Sequence, residues 1–237
     1  MADLLQAVIN AHGGIDRWSR LHSVTAHLAQ GGAGWAMSGH EGILADSFVT
    51  ASLHEQRVSY HPFGAPGQRA AYTPERVAIV TDSGDELEAL DHPAASFGVH
   101  GPVPWTTLQV GYVAGTSIWA WLTQPFTYAL PGFQVTEPGP VSEKGEELRR
   151  LRVRWPDGLA AHSSVQTIYV GGDGLIRRHD YEMAVMDGHK VAHFVSGYTE
   201  VAGIMVATRH AVFPRADGQA LSRPLLISAD ISQVSFA

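Results

Sequence analysis

The spacing of apolar residues changes several times along the chain, and each change marks an element. Near the start, Leu4, Leu5, Val8 and Ile9 recur at helical spacing behind Asp3, a good N-cap residue, and Gly13-Gly14 stops the run. Ile15, Trp18 and Leu21 continue as a second short helical stripe. From Ser23 the period becomes two. Val24, Ala26 and Leu28 alternate with Thr25, His27 and Ala29, as in a strand with one buried face. The glycine-rich stretch 31–34 breaks that strand, with neither dinucleotide-loop spacing nor a helical pattern after it. Strands are predicted over 48–54, 57–62, 69–72 and 76–80, and 86–97 reads as an exposed irregular connection. Residues 103–126 then interrupt the strands with a dense apolar run that holds Trp105, Tyr112, Trp119 and Trp121. The run predicts one helix over 106–123 with a weak point at Gly115, or two short helices, with apolar residues most of the way round and hence buried on more than one side. Strands over 148–155, 203–212 and 225–236 follow.

The stretch 162–198 reads as three antiparallel strands joined by turns at Gly171 to Gly174 and at Asp187-Gly188, a strong hairpin signal. Tight turns there set Val170 opposite Leu175 and Met186 opposite His189. Alternation then sorts the side chains onto two faces. An inner face carries His162, Ser164, Gln166, Arg177, His179, Tyr181, Phe194 and Ser196; an outer face sets Glu182 against His193. Strands in runs, not alternating with helices, predict an antiparallel sheet. The expected fold is mainly β (α+β): a highly curved antiparallel sheet or incomplete β-barrel over 1–237 as one domain, with an N-terminal helix and the central apolar helix as plug or lid.

Composition narrows the function. Hydrophobic residues at 45% and charged residues at 16% supply a sizeable core and exclude a disordered chain. A formal charge of −7 with no basic cluster argues against nucleic acid and against anionic membrane surfaces. The absence of cysteine removes disulfides, thiolate metal sites and a cysteine nucleophile. No stretch approaches the roughly 20 apolar residues of a membrane span, and the first residues lack the basic and apolar regions of a signal peptide. A cytoplasmic location without integral membrane association is therefore expected.

Candidate chemistry centres on histidine, of which there are thirteen. The chain has no G-x-S-x-G elbow, H-E-x-x-H helix or phosphate-binding loop. A metal site would require His162, His179 and His193 or His210 to converge. The tight-turn register puts His193 on the other face, so neither metal nor cofactor is expected. His12 and His22 sit near helix ends as surface groups, and His61 and His100 lie in loops. In an apolar cavity His179 would be held neutral and could act as a base, with Tyr181 or Arg177 steadying a developing anion.

The order of elements resembles the lipoprotein-localisation carrier fold of bacteria. The chain is also similar to a group of uncharacterised bacterial proteins that share three phrases: AHGG-x-x-RW (Ala11 to Gly14 with Arg17-Trp18), HPFG (His61 to Gly64) and RRHDY (Arg177 to Tyr181). The resemblance implies a wide, incompletely closed antiparallel barrel whose cavity binds acyl chains under a helical cover. Two functions follow. One is a barrel binding an apolar or amphipathic small molecule, with contacts from Gln166, His162, Ser164, Phe194, Ser196, Trp105, Tyr112 and Trp119. The other is a cofactor-free isomerase, lyase or hydrolase with His179 as base.

Overall fold

The computed structural model describes residues 3–98, 104–143 and 145–237. Its helices are α1 (Asp3–Ala11), α2 (Ile15–Trp18), α3 (Ala33–Met37) and α4 (Thr107–Thr123). In chain order the first strands are β1 (Ser23–Gly31), β2 (Ser47–Ser52), β3 (Val58–His61), β4 (Gln68–Thr73), β5 (Arg76–Thr81) and β6 (Glu86–Asp91). After α4 come β7 (Gln134–Thr136), β8 (Val141–Glu143), β9 (Glu146–Arg154), β10 (Val165–Val170), β11 (Ile176–Met183) and β12 (His189–Ser196). The last are β13 (Thr199–Val201), β14 (Ile204–Val206), β15 (Arg209–Ala216), β16 (Gln219–Ala220) and β17 (Ile227–Phe236).

Fifteen of these strands form one antiparallel sheet in the order β6-β5-β4-β3-β2-β1-β17-β15-β12-β11-β10-β9-β7, with β16 and β8 as side branches, while β13 and β14 pair alone. Two antiparallel meanders thus meet at the β1–β17 seam. The sheet is curved but keeps two edges, β6 and β7, so it is not closed into a barrel. Residues 86–97, expected to be irregular, instead supply the exposed edge strand β6 and a 3₁₀ turn, Pro93–Ser96. The edge is polar, as exposed edges need to be, which is why its strand character was hidden. The stretch after Gly31 also differs from expectation. It forms α3, whose five residues are too few to show a helical period.

The central helix begins at a capping box: Gln109 N donates to Thr106 Oγ1 at 3.2 Å and Thr106 N donates to Gln109 Oε1 at 2.8 Å. It lies across the inner face of the first meander and packs against β2 to β6. Two glycines permit the approach. A Cβ on Gly111 would stand 2.9 Å from Val77 Cγ1, and one on Gly115 would overlap the Tyr72 ring. Gly115 is therefore a close-packing position and not a break. Polar atoms seal the contact: Tyr60 OH donates to the Ala114 carbonyl at 2.8 Å, and Tyr72 OH bonds Thr116 Oγ1 at 3.0 Å.

The 162–198 meander departs from the tight-turn register. The connection between β11 and β12 is five residues long, because Ala184–Met186 forms a 3₁₀ turn before Asp187 (φ 52°) and Gly188 (φ 72°) turn the chain. Met183, not Met186, therefore pairs with His189. This three-residue slip is odd, so every side chain of β12 changes face. His193 stands opposite His179 on the inner face, and Phe194 stands opposite Arg178 on the outer face. Between β10 and β11 the slip is even, with Ile168 opposite His179, so Gln166, His179 and Tyr181 keep the inner face.

The close approach at Gly115 gives a direct test. Alanine favours a helix over glycine by about 1 kcal/mol, yet overpacking a filled core costs about 1–3 kcal/mol. Gly115→Ala is expected to destabilise the protein in urea unfolding, and a stabilised variant would show that the helix does not press on Tyr72.

Candidate ligand-binding site

One stripe of α4 faces away from the first meander: Val113, Ser117, Trp121 and Gln124, spaced to share a helix face. Opposite it stand the inner-face residues of β11, β12 and β15. In and beside the space between lie four cavities that share lining residues. The outermost, about 200 Å³, is walled by Met37, Trp105, Met183, Met186, Pro214 and Leu226, with exposed Met37 and Lys190 at its rim. It shares Gly34, Trp105, Met183, Met186 and Leu226 with an inner chamber of about 40 Å³, which adds Gln30, Trp35, Ser117, Trp121 and Tyr181. Beyond Trp121 lie two small hollows of about 20 Å³ each, one with His162, Gln166, His179 and His193, the other with His12, His179, His193 and His210.

The loop and short helix around Gly32 build the entrance. Gly34 N donates to the Leu226 carbonyl at 2.7 Å, which docks α3 on the chain entering β17. Trp35 is thereby buried and Met37 is left 49% exposed. Gln30 holds an inward position of β1, two residues after Leu28, and is 5% exposed. Among the described residues neither polar atom of the Gln30 side chain has a partner, and neither does Trp35 Nε1.

The deep end is a histidine cluster. Trp121 stacks on His210 with ring centres 4.6 Å apart and lies 4.8 Å from His193. Hydrogen bonds fix the tautomers. A carbonyl only accepts, so His210 Nε2 must donate to Ala207 O at 3.1 Å. Its Nδ1 then accepts from His193 Nε2 at 2.9 Å, and His193 Nδ1 is left as a buried lone pair with no partner among the described residues. The same logic applies at His162. The Ser117 hydroxyl donates to Val113 O at 2.9 Å, so His162 Nε2 donates to Ser117 Oγ at 2.7 Å. Burial holds all these rings neutral. The His162 and His210 pKa values are pushed down to about 4, that of His179 to about 3, and that of His193 well below its ordinary value, in each case chiefly by desolvation. His12, expected at the surface, is buried against Tyr198, donates its Nδ1 proton to Val8 O at 2.8 Å and is also lowered to about 4 by burial.

The sequence-chosen residues divide accordingly. His162, Gln166, His179 and Tyr181 share one wall, and Trp105 lines both larger chambers. Arg177 is turned back onto Asp173 at 2.6 Å, away from any role beside His179. Ser164 and Ser196 are exposed at strand ends. Phe194 sits on the outer face over Arg178 and edge-on to Phe213. Tyr112 packs between Tyr72 and Phe97, and Trp119 donates to Ser52 O in the core at 2.9 Å. His61 is exposed and pairs with Asp82 at 2.9 Å, and His100 lies outside the described residues. His179, His193 and His210 do cluster, contrary to the tight-turn register. Among the described residues, however, no three His, Asp or Glu side chains are arranged to hold a metal ion. Gln30, Trp35, Trp121, His193 and His210 were not singled out as contact residues. A polar residue at the next inward step after Val24, Ala26 and Leu28 was the signal for Gln30.

The buried histidines give a pH prediction. Each has a folded-state pKa near 4 or below, against about 6.5 when unfolded. The unfolded chain therefore binds more protons between those values, and stability falls as pH drops through that window. The thermal midpoint is expected to decline from pH about 6.5 to about 4, with a shallower decline in His179→Gln. A midpoint that holds level across the window would contradict neutral burial.

No protein-family model and no curated protein sequence matches the chain. Solved structures share its fold. A LolA superfamily protein from Nitrosomonas europaea superposes with a TM-score of 0.51 at 11% identity, over 98% of this chain and 93% of its own. A DUF1329 family protein from Desulfovibrio piger gives 0.54 at 11% identity, over 99% and 94%. The cytoplasmic expectation is corrected: the chain shares its fold with a LolA superfamily protein, and none of the comparisons points to the cytoplasm. Among the described residues no helix is long and apolar enough to cross a membrane. The chain has a LolA-like fold: an open, curved antiparallel sheet with helices on its inner face.

Proposed function

We propose that this protein takes up an apolar or amphipathic small molecule in the chamber between α3, Trp105 and the β11–β12 connection, beside the space that α4 shares with the β11–β12–β15 wall. The carrying observation is the outer chamber, a hollow of about 200 Å³ lined mainly by methionine, tryptophan, leucine and proline. Three of the chain's five methionines, Met37, Met183 and Met186, stand on it. Flexible, polarizable methionine adapts to irregular apolar shapes, and ligand sites are concave and mostly apolar with few polar groups. The LolA-like fold supports the reading by analogy with carriers of that fold.

Acid–base catalysis is supported less well. A general base works best with a pKa near the working pH, whereas burial takes His179 to about 3. Arg177, the intended anion partner, is engaged by Asp173. His179 and Tyr181 then act as the polar floor of a binding cavity.

Binding of a neutral, environment-sensitive naphthylamine dye tests the proposal. Met183→Trp fills the outer chamber and is expected to weaken dye binding at least roughly 10-fold. His179→Ala, deeper in, is expected to leave affinity within about twofold. Undiminished binding in Met183→Trp would overturn the assignment of the chamber.

A further inference from the structure

We infer that the inner chamber receives the polar end of the ligand, and that this end is an uncharged carbonyl group, best an amide. This rests on the binding reading above and adds the chemistry of the head. Two independent side chains carry it. Gln30 is 5% exposed and Trp35 is 4% exposed, and both line the inner chamber. The amide nitrogen and oxygen of Gln30 and the indole nitrogen of Trp35 have no partner among the described residues. A buried polar group left unpaired is costly, so three such atoms on two side chains that line one hollow mark a place for a complementary group. Gln30 Nε2 and Trp35 Nε1 are donors suited to a carbonyl oxygen, and Gln30 Oε1 is an acceptor suited to an N–H. A primary amide presents both.

The same walls select against charge. Among the described residues no Arg or Lys lines the inner chamber, and Lys190 stands only at the outer rim. A carboxylate or phosphate moved inward would lose its water without meeting a cation, which is costly. Size agrees: the outer chamber of about 200 Å³ holds a chain, and the inner one of about 40 Å³ admits only a small head.

Displacement of the neutral naphthylamine dye by decanamide and by decanoate, at pH about 8 where the acid is ionised, is the test. Decanamide is expected to bind at least roughly 10-fold more tightly than decanoate. Gln30→Leu is expected to lower the affinity for decanamide by a similar factor relative to that for the dye, and to raise the thermal midpoint of the ligand-free protein. Trp35→Phe, which keeps the ring and removes the donor, is expected to weaken decanamide alone. Decanoate binding as tightly as decanamide would overturn the inference, as would an amide preference that survives Gln30→Leu. Failure of the dye and both chains to bind would instead sink the binding reading beneath it.

Discussion

The close approach of one helix to half of one sheet is the constraint on which the molecule depends. Gly111 and Gly115 bring α4 down onto Val77 and Tyr72, and hydroxyls from Tyr60 and Tyr72 anchor it there. A helix is too narrow to cover the whole inner face of a sheet this wide. Pressed against β2 to β6, it leaves the face of β11, β12 and β15 only partly covered. The cavity is thus the complement of the core. The same helix supplies both, with its glycine face toward the packed half and its Ser117–Trp121 face toward the hollow.

The half that borders the hollow needs its own rigidity, and it comes from the opposite side of β11. Arg178 and Asp180 are buried on the outer face and bonded at 2.6 Å. Glu143 from β8 joins Arg178 at 2.9 Å, and Tyr169 OH donates to Asp180 at 2.9 Å. Each charge has a partner, as burial requires. Because alternate residues of β11 point to opposite faces, fixing Arg178 and Asp180 also fixes His179 and Tyr181. Polar burial therefore has two forms here, ionic and charge-paired outside, neutral and partly unpaired inside.

Period and capping chemistry made the large elements legible. The alternation from Val24 to Leu28, the apolar run that became α4 and the sequence of strands led to an open curved sheet with a helix on its inner face. What escaped was decided by few residues or by distance. Asp187-Gly188 did turn the chain, but as the end of a five-residue loop, and that odd slip moved His193 inward and Phe194 outward. α3 was too short to carry a period, so Trp35 stayed unnoticed. The three shared phrases mix roles in a way that sequence cannot separate. Arg17 bonds the Gly13 and Gly203 carbonyls to hold the N-terminal helices to the β13–β14 hairpin, and Phe63 fills the core. In the third phrase alternate residues serve the ionic network and the cavity. Arg177, the most chemically suggestive of them, is held by Asp173 four residues earlier.

The central claim is that an apolar molecule occupies the chamber beside α4 that is walled by Trp105, Met183 and Leu226. A crystal structure of the protein with bromodecane, read through the anomalous signal of bromine, tests it most directly. The account predicts bromine within the space bounded by Trp105, Met183 and Leu226. Bromine bound only outside that space, or a chamber that stays empty at saturating bromodecane, would contradict it.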